Sequence, residues 1–239
     1  MKRKNKEQKK NNRKAEKNKV KWLRIILMLS IILIVLFGIL IFVYFLNLSI
    51  SKQGPIALPE ELIQEYQERI GQYEEKLKTA TSDQERQKTM LAIGAAKFAL
   101  GDYRGSQIAY ENLLDQFPEN SQGFLGLGDC FLEFKKYTKA ENAYLKALER
   151  DPGSIDVYRK LFYLYTSILK KNKSQILAFL EKGQKALGEN NKSILELYYA
   201  YAQKTNDLTA QKKWLEKILA VDPNDDEYQK ELKILVETP

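Results

Sequence analysis

The chain has 239 residues, room for one or two ordinary domains, with 39 Lys and Arg residues against 31 Asp and Glu residues. Histidine is absent and Cys130 is the single cysteine, which excludes a histidine base, histidine or cysteine metal sites and an intrachain disulfide. Because the sequence also lacks a phosphate-binding loop and a paired-carboxylate motif, it predicts no enzyme, no catalytic residue, no cofactor and no metal.

The formal charge of +8 is concentrated at the N-terminus. Residues 1–24 hold twelve basic and two acidic side chains, so the rest of the chain is slightly acidic. The segment has almost no apolar residues, which predicts a disordered basic tail drawn to anionic lipid. It also lacks the interleaved aromatic residues that stack on bases, so nucleic-acid binding is not expected.

Residues 25–46 carry no charge. As a helix they would be roughly 33 Å long, against about 30 Å for a hydrocarbon core, which predicts a single transmembrane helix. A cleaved signal peptide is the alternative, but its apolar region is shorter, so an uncleaved signal anchor is favoured. The positive-inside rule places the tail in the cytoplasm and the C-terminal part outside it. The abundance of Lys, Asn and Ile is typical of an AT-rich bacterial genome, so we expect a bacterial cell membrane.

A linker over residues 47–58, broken at Gly54-Pro55, precedes an amphipathic helix predicted over residues 59–80. Its apolar residues recur every three or four positions: Leu62, Tyr66, Ile70, Tyr73 and Leu77. The last four are compatible with a short coiled-coil seam. Packing against the next helix is the favoured interpretation, which makes this segment a capping helix.

Residues 87–120 and 121–154 form two copies of one pattern. Every matching pair is separated by the same interval along the chain: Ile93-Gly94 with Leu127-Gly128, Tyr103 with Tyr137, Tyr110 with Tyr144, Leu114 with Leu148, and Pro118 with Pro152. In the second copy, Gly128 permits close approach of another helix, Lys135-Lys136 make a turn and Pro152 ends the unit. Each unit is thus a pair of helices that must stack on neighbours to bury its apolar faces.

The segment FLGLGDCFLEFKKYTKAENAYLKALERDP resembles a tetratricopeptide repeat, and ALGDYRGSQIAYENLLDQFP is similar. Two weaker copies follow over 155–191 and 194–223, with Phe162 and Tyr199 in place of the small residue. The stretch from Pro152 to Pro223 exceeds two repeat intervals by three residues, which indicates insertions near 169–173 or 188–191. We therefore expect the third and fourth units to pack more loosely or at altered angles.

The resemblance implies an all-α fold, an α-solenoid of stacked helix-turn-helix repeats preceded by one transmembrane helix. The repeat domain would cover residues 83–237, with about four repeats and a C-terminal capping helix that directs Tyr228, Leu232 and Leu235 toward the repeats.

In this family the first helices of the repeats line a concave groove that binds peptides or protein surfaces. Carried over by position, the resemblance implies a partner-binding groove formed by Lys88, Leu91, Gln122, Leu125, Asp129, Leu132, Glu133, Asp156, Arg159, Tyr163 and Glu196, with Ala95, Thr166, Ala200 and Gln203 beside them. The alternative for each of these residues is a solvated surface position without a ligand.

The expected partner is a neutral or basic peptide or protein. One subclass of the family holds acidic C-termini with asparagine-rich clamps, but the matching positions here are Ala95, Asp129 and Tyr163. Four acidic groove residues against Lys88 and Arg159 would also repel an anionic peptide. Six tyrosines occur late in the chain, and their helical spacing favours core positions for the set, with Tyr163 the best candidate for exposure: Tyr158, Tyr163, Tyr165, Tyr198, Tyr199 and Tyr201. Cys130 is expected to be a small packed residue.

The predicted function is that of a membrane-anchored scaffold that binds a protein or peptide partner in an envelope or secretion complex. Two alternatives are a chaperone-like accessory of protein translocation and a cytoplasm-facing import receptor, the latter opposed by the basic tail.

Overall fold

The computed structural model describes residues 58–237. Residues 59–237 belong to one compact unit, which is described below. The predicted tail (1–24) and transmembrane helix (25–46), and all of the predicted linker (47–58) except Leu58, lie outside the described residues. Between residues 58 and 237, no helix combines the length and the apolar character that crossing a membrane requires.

Residues 58–237 fold into ten α-helices with no β-strand among them. Their bounds are α1 Glu60–Thr79, α2 Asp83–Ala99, α3 Tyr103–Gln116, α4 Ser121–Glu133, α5 Tyr137–Arg150, α6 Ile155–Tyr163, α7 Lys173–Leu187, α8 Lys192–Lys204, α9 Leu208–Val221 and α10 Asp226–Glu237. A π-helical turn, Leu164–Ile168, continues α6. The pairs α2–α3, α4–α5, α6–α7 and α8–α9 form four successive units of an all-α solenoid.

Each unit turns between its helices through one residue with positive φ. These residues are Gly101 (79°), Lys135 (57°), Lys170 (48°) and Asn206 (53°). In the first, second and fourth units, the next residue's N–H closes the turn on the carbonyl five residues earlier, as Lys136 does on Phe131 at 2.8 Å. The second helix then starts at once, capped in α3 and α9 by the side chains of Asp102 and Asp207.

Tyrosine rings fill the space that glycines leave between helices. A Cβ added at Gly94 or Gly126 would lie 2.6 or 2.3 Å from the ring of Tyr110, and one at Gly128 would lie 2.3 Å from the ring of Tyr144. Tyr110 therefore lies between the first helices of two successive units, α2 and α4. The close approach predicted at Gly128 is confirmed, and the same approach occurs at Gly94.

In the third unit a glycine and a tyrosine also bring the two helices together, but each residue lies on the opposite helix from its counterpart in the second unit. The glycine is Gly183 on the second helix α7, where an added Cβ would lie 2.9 Å from the ring of Tyr158 on the first helix α6. Phe162, at the position of the small residue, is half-buried against the large core cluster of α5 to α8, which contains Tyr158.

The inserted residues of the third unit fall at both of the predicted places. The π-helical turn and residues 169–172 lengthen the α6–α7 connection, and the N–H of Lys171 bonds the carbonyl of Tyr165, six residues earlier. The remaining extra residue lies between α7 and α8. The backbones of α6 and α7 approach each other much less than those of α4 and α5, so the two helices of this unit pack at a greater backbone separation.

The two ends of the helix array are closed by single helices. At the N-terminal end, α1 packs against α2, with Leu77 against the core cluster that contains Met90 and Tyr110. At the C-terminal end, Tyr228, Leu232 and Leu235 of α10 pack against a cluster that contains Leu195 and Tyr199. Tyr199 also donates a 2.6 Å hydrogen bond to Oε2 of Glu231 on α10. Tyr199 occupies the small-residue position of the fourth unit, and it thus joins that unit to the last helix.

Candidate protein-interaction groove

The predicted groove residues occupy one face of the first helices α2, α4, α6 and α8, termed here the first-helix face. Three on this face are apolar and half-buried: Leu91, Leu125 and Leu132. Leu91 packs against the cluster of Met90 and Tyr110, and the other two leucines pack against the large cluster of α5 to α8. These three residues therefore form a fixed apolar part of the face, since their side chains already contact the core.

Asp129 joins three helices at this face. Its Oδ1 accepts a 2.7 Å hydrogen bond from the hydroxyl of Tyr144 on α5 and lies 2.9 Å from Nζ of Lys160 on α6. Burial, and next the negative charge of Asp129, hold the pKa of Tyr144 well above its usual value. The carboxylate is thus an acceptor fixed by two donors before any partner arrives.

Arg159 connects two of the other predicted acidic residues. Its guanidinium nitrogens lie 3.6 Å from Oδ1 of Asp156 and 3.8 Å from Oε2 of Glu196, and Nη2 donates a 3.2 Å hydrogen bond to Oγ of Ser193. The structure therefore brings Asp156, Arg159 and Glu196 together across α6 and α8.

The predicted residues Lys88 and Glu133 are exposed, and Gln122 is exposed beside them on the same set of helices. Glu133 lies at the end of α4 beside Tyr103, where burial first and the Glu133 carboxylate second raise the tyrosine pKa. Within residues 58–237 no ion pair or side-chain hydrogen bond links Lys88 or Gln122 to the other predicted groove residues. Lys88 and Gln122 therefore lie outside the two networks around Asp129 and Arg159, whereas the Glu133 carboxylate also contributes to the raised pKa of Tyr144.

Tyr163 is the exposed aromatic residue of this face, with 52% of its surface accessible. The other five late tyrosines are buried, so the predicted division between core and surface is confirmed: Tyr158, Tyr165, Tyr198, Tyr199 and Tyr201. Thr166 is a correction to the carried-over set. It is 9% exposed and its hydroxyl donates a 2.8 Å hydrogen bond to the carbonyl of Phe162, because it lies in the π-helical turn that faces the core.

Lys160 is the residue of this face that the sequence reasoning missed. Asp156, Lys160 and Tyr163 follow the i, i+4, i+7 spacing of one helix face, so the sequence already indicates that Lys160 lies on the face of the other two. With Lys160 included, three of the four predicted acidic residues pair with a cation: Asp129, Asp156 and Glu196. The first-helix face therefore repels anionic peptides less strongly than the count of four acidic residues against Lys88 and Arg159 implied.

Cys130 lies behind the first-helix face. Its side chain is fully buried, its Sγ lies 3.4 Å from Oγ of Ser106, and burial raises the pKa of the thiol. A thiol in this state is a packed core group and a poor nucleophile. In the part of the chain that the structure describes, no cluster of three His, Cys, Asp or Glu residues is placed to hold a metal ion.

A solenoid of paired helices with a face of fixed side chains defines the class of helical repeat proteins that present an extended surface to other molecules. A family model described as "Tetratricopeptide repeat" matches residues 91–155. The match covers α3, α4 and α5 completely, the C-terminal half of α2 and the first residue of α6. Together with the fold, it supports assignment of these helix pairs to the tetratricopeptide type.

Solved structures of similar fold include two tetratricopeptide repeat proteins and MamA. One from Parabacteroides merdae is 14% identical, with a TM-score of 0.51, over 74% of this chain and 71% of that one. A thermophilic one from Thermus thermophilus is 14% identical, with a TM-score of 0.51, over 72% and 90%. A crystal structure of MamA is 15% identical, with a TM-score of 0.52, over 73% and 99%. These likenesses support the fold. A search of curated proteins returned no match to this chain.

Proposed function

We propose that this protein is a membrane-anchored scaffold that binds a protein or peptide partner on its first-helix face. Tetratricopeptide repeat proteins act as protein-interaction scaffolds. The observation that carries the proposal for this chain is Tyr163, a tyrosine 52% exposed among side chains that are already held in place. Aromatic residues in such positions are favoured as binding hot spots, because they offer a large contact area and lose little conformational freedom.

The partner that suits this face is neutral or basic. Asp129 and Glu196 keep acceptor oxygens on the face, while Lys160 and Arg159 offset most of their charge. A peptide could place an apolar side chain on Tyr163 and donate its backbone N–H groups to the two carboxylates. An acidic peptide would meet Glu133, which alone of the four predicted acidic residues forms no ion pair within residues 58–237.

Anchoring and orientation complete the proposal. The uncharged run over 25–46 and the basic residues before it support a single transmembrane helix with the repeats outside the cytoplasm, within an envelope or secretion complex. A chaperone-like accessory of translocation and a cytoplasm-facing import receptor are the competing functions.

The test of partner binding is photocrosslinking in cells from a reactive residue placed at Tyr163, with the matched control at exposed Glu149 on α5. We expect a discrete crosslinked partner from position 163 alone. Adding Arg159→Ala should reduce that crosslink while leaving the helical circular dichroism unchanged. Equal crosslinking from positions 163 and 149 would contradict partner binding on the first-helix face.

Orientation is tested separately with reporters fused after Pro239 and near Gly54. Activity of both reporters outside the cytoplasm is expected. A reporter active in the cytoplasm would reverse the topology and favour the import receptor. Suppression of client aggregation by the purified chain, without a discrete crosslink, would favour the chaperone-like accessory.

A further inference from the structure

A cleft of about 200 Å³ lies between α7, α8 and α9. Its lining is apolar and aromatic on one side, with Leu177, Tyr198, Tyr201 and Trp214, and it is bordered by the exposed lysines Lys173 and Lys213. The cleft thus combines an apolar lining with positive charge.

Trp214 concentrates positive charge at this cleft. Its ring stacks on Tyr198 with centroids 4.2 Å apart and an interplanar angle of 18°. The ammonium groups of Lys213 and Lys217 lie 4.8 and 5.2 Å from the centroid of the same indole. Among the described residues the ion pair at this cleft is that of Lys173 with Asp207, at 3.7 Å, and neither Lys213 nor Lys217 has a carboxylate partner.

The cleft faces away from the first-helix face. Successive residues of a helix are rotated by about 100°, so Glu196, Ala200 and Gln203 share one side of α8. Tyr198, Tyr201 and Thr205, which line the cleft, are centred about 180° from them by the same rotation. A ligand in the cleft would therefore leave the first-helix face free.

We propose that this cleft is a second docking site, which binds an acidic peptide segment carrying an apolar side chain between carboxylates. The apolar side chain fills the space lined by Leu177 and Tyr201, and the carboxylates neutralise Lys213 and Lys217, whose mutual repulsion is otherwise uncompensated. A concave site with a half-buried tryptophan suits a peptide better than a flat lipid surface. The basic segment 1–24 of this chain is excluded as occupant by its charge.

The test uses the full chain in non-ionic detergent with Trp22→Phe, which leaves Trp214 as the one tryptophan. The probe is a blocked synthetic heptapeptide with a central leucine between glutamates, and the control peptide carries lysine in place of every glutamate. We expect a saturable change in Trp214 emission with the acidic peptide and none with the basic one.

Charge reversal supplies the matched comparison. Lys213→Glu/Lys217→Glu should raise the Kd by about tenfold or more, because attraction becomes repulsion. Lys136→Glu/Lys139→Glu in the second unit, which also reverses two lysines placed over aromatic rings, should leave it unchanged. Lys213→Gln/Lys217→Gln should give an intermediate Kd, which separates loss of charge from loss of fold.

Three results would overturn the second site: no saturable response to the acidic peptide, equal Kd values for the two charge-reversal variants, or a lysine-dependent response to dihexanoylphosphatidylserine and none to peptide. The last would assign the cleft to lipid headgroups. All three leave the crosslink from Tyr163 unaffected, so this inference and the proposed function fail independently.

Discussion

The hydroxyl of Tyr144 donates a 2.7 Å hydrogen bond to Oδ1 of Asp129 across the second unit. The same oxygen lies 2.9 Å from Nζ of Lys160 in the third unit. One carboxylate on the proposed binding face therefore also ties the two helices of its own unit together and links them to the next unit.

Removal of the Tyr144 hydroxyl tests this link. Tyr144→Phe keeps the ring against Gly128 but deprives Asp129 of a donor, so we expect a loss of about 1–2 kcal/mol in the free energy of unfolding. Urea unfolding followed by circular dichroism measures it. Tyr163→Phe, on an exposed ring, should change stability by less than about 0.5 kcal/mol. Equal effects of the two substitutions would show that the bond contributes nothing.

The contact between Gly128 and Tyr144 predicts a steric effect. In Gly128→Ala the new Cβ would lie 2.3 Å from the buried ring, so the helices must separate, at a cost of about 1–3 kcal/mol. Gly71→Ala on α1 is the control, because a Cβ there meets nothing within 4 Å. It should stabilise the helix by about 0.5–1 kcal/mol. Thermal unfolding should thus shift in opposite directions, and a shared direction would contradict the packing argument.

The exposed residue Lys135 has a φ of 57°, a conformation that favours glycine. We expect Lys135→Gly to stabilise the second unit by about 0.5–1 kcal/mol, because relief of left-handed strain exceeds the entropy that glycine loses on folding. Gly101→Lys at the matching turn of the first unit should destabilise by a similar amount. Unfolding midpoints in urea check both changes, and a destabilised Lys135→Gly variant would be the contrary result.

Buried tyrosines predict a stability that falls at alkaline pH. Burial raises the pKa of Tyr110 to about 12, and burial is also the largest cause of the upward pKa shifts at Tyr144, Tyr165 and Tyr199. Below the ordinary tyrosine pKa of about 10, both folded and unfolded states keep these protons, so stability is flat. Above it the unfolded chain ionises first, so stability is lost as pH rises toward the folded-state values.

Urea midpoints across this pH range, with tyrosinate absorbance as the second signal, measure the alkaline loss. Tyr165→Phe removes one contributor and should flatten the dependence while lowering stability at neutral pH. A dependence equally steep in Tyr165→Phe would exclude that residue as a source.

The helix pairs of the first two units could be predicted from sequence because each key residue has one local task. Gly128 leaves space for the ring of Tyr144, Lys135 forms the turn between the helices and Pro152 ends the unit. Residues with the same three roles occur one repeat interval earlier, in the first unit. The third unit could be predicted only in part, because its glycine, Gly183, lies on the second helix α7. The small-residue position of its first helix α6 holds Phe162 instead. The π-helical turn was not predicted because it shifts the register of the helix and directs the polar residue Thr166 toward the core, which the apolar pattern does not indicate.

The face chemistry was harder to predict than the fold. Asp129 and Arg159 were placed on the face by position in the repeat, but which charge pairs with which depends on how successive units stack. Lys160 approaches Asp129 from the next unit, and no spacing within one repeat reveals that neighbour. Burial of Thr166 follows from the π-helical turn and was missed for the same reason as the turn.

The positive-φ residues also limit how this protein could grow by internal duplication. The interval from Gly101 to Lys135 equals the repeat interval of the first two units, whereas the next two intervals, to Lys170 and then to Asn206, are each longer than the one before. A copied segment of one repeat would therefore insert in register between the first two units. A copy taken across the third or fourth turn would instead carry the extra residues of those connections with it.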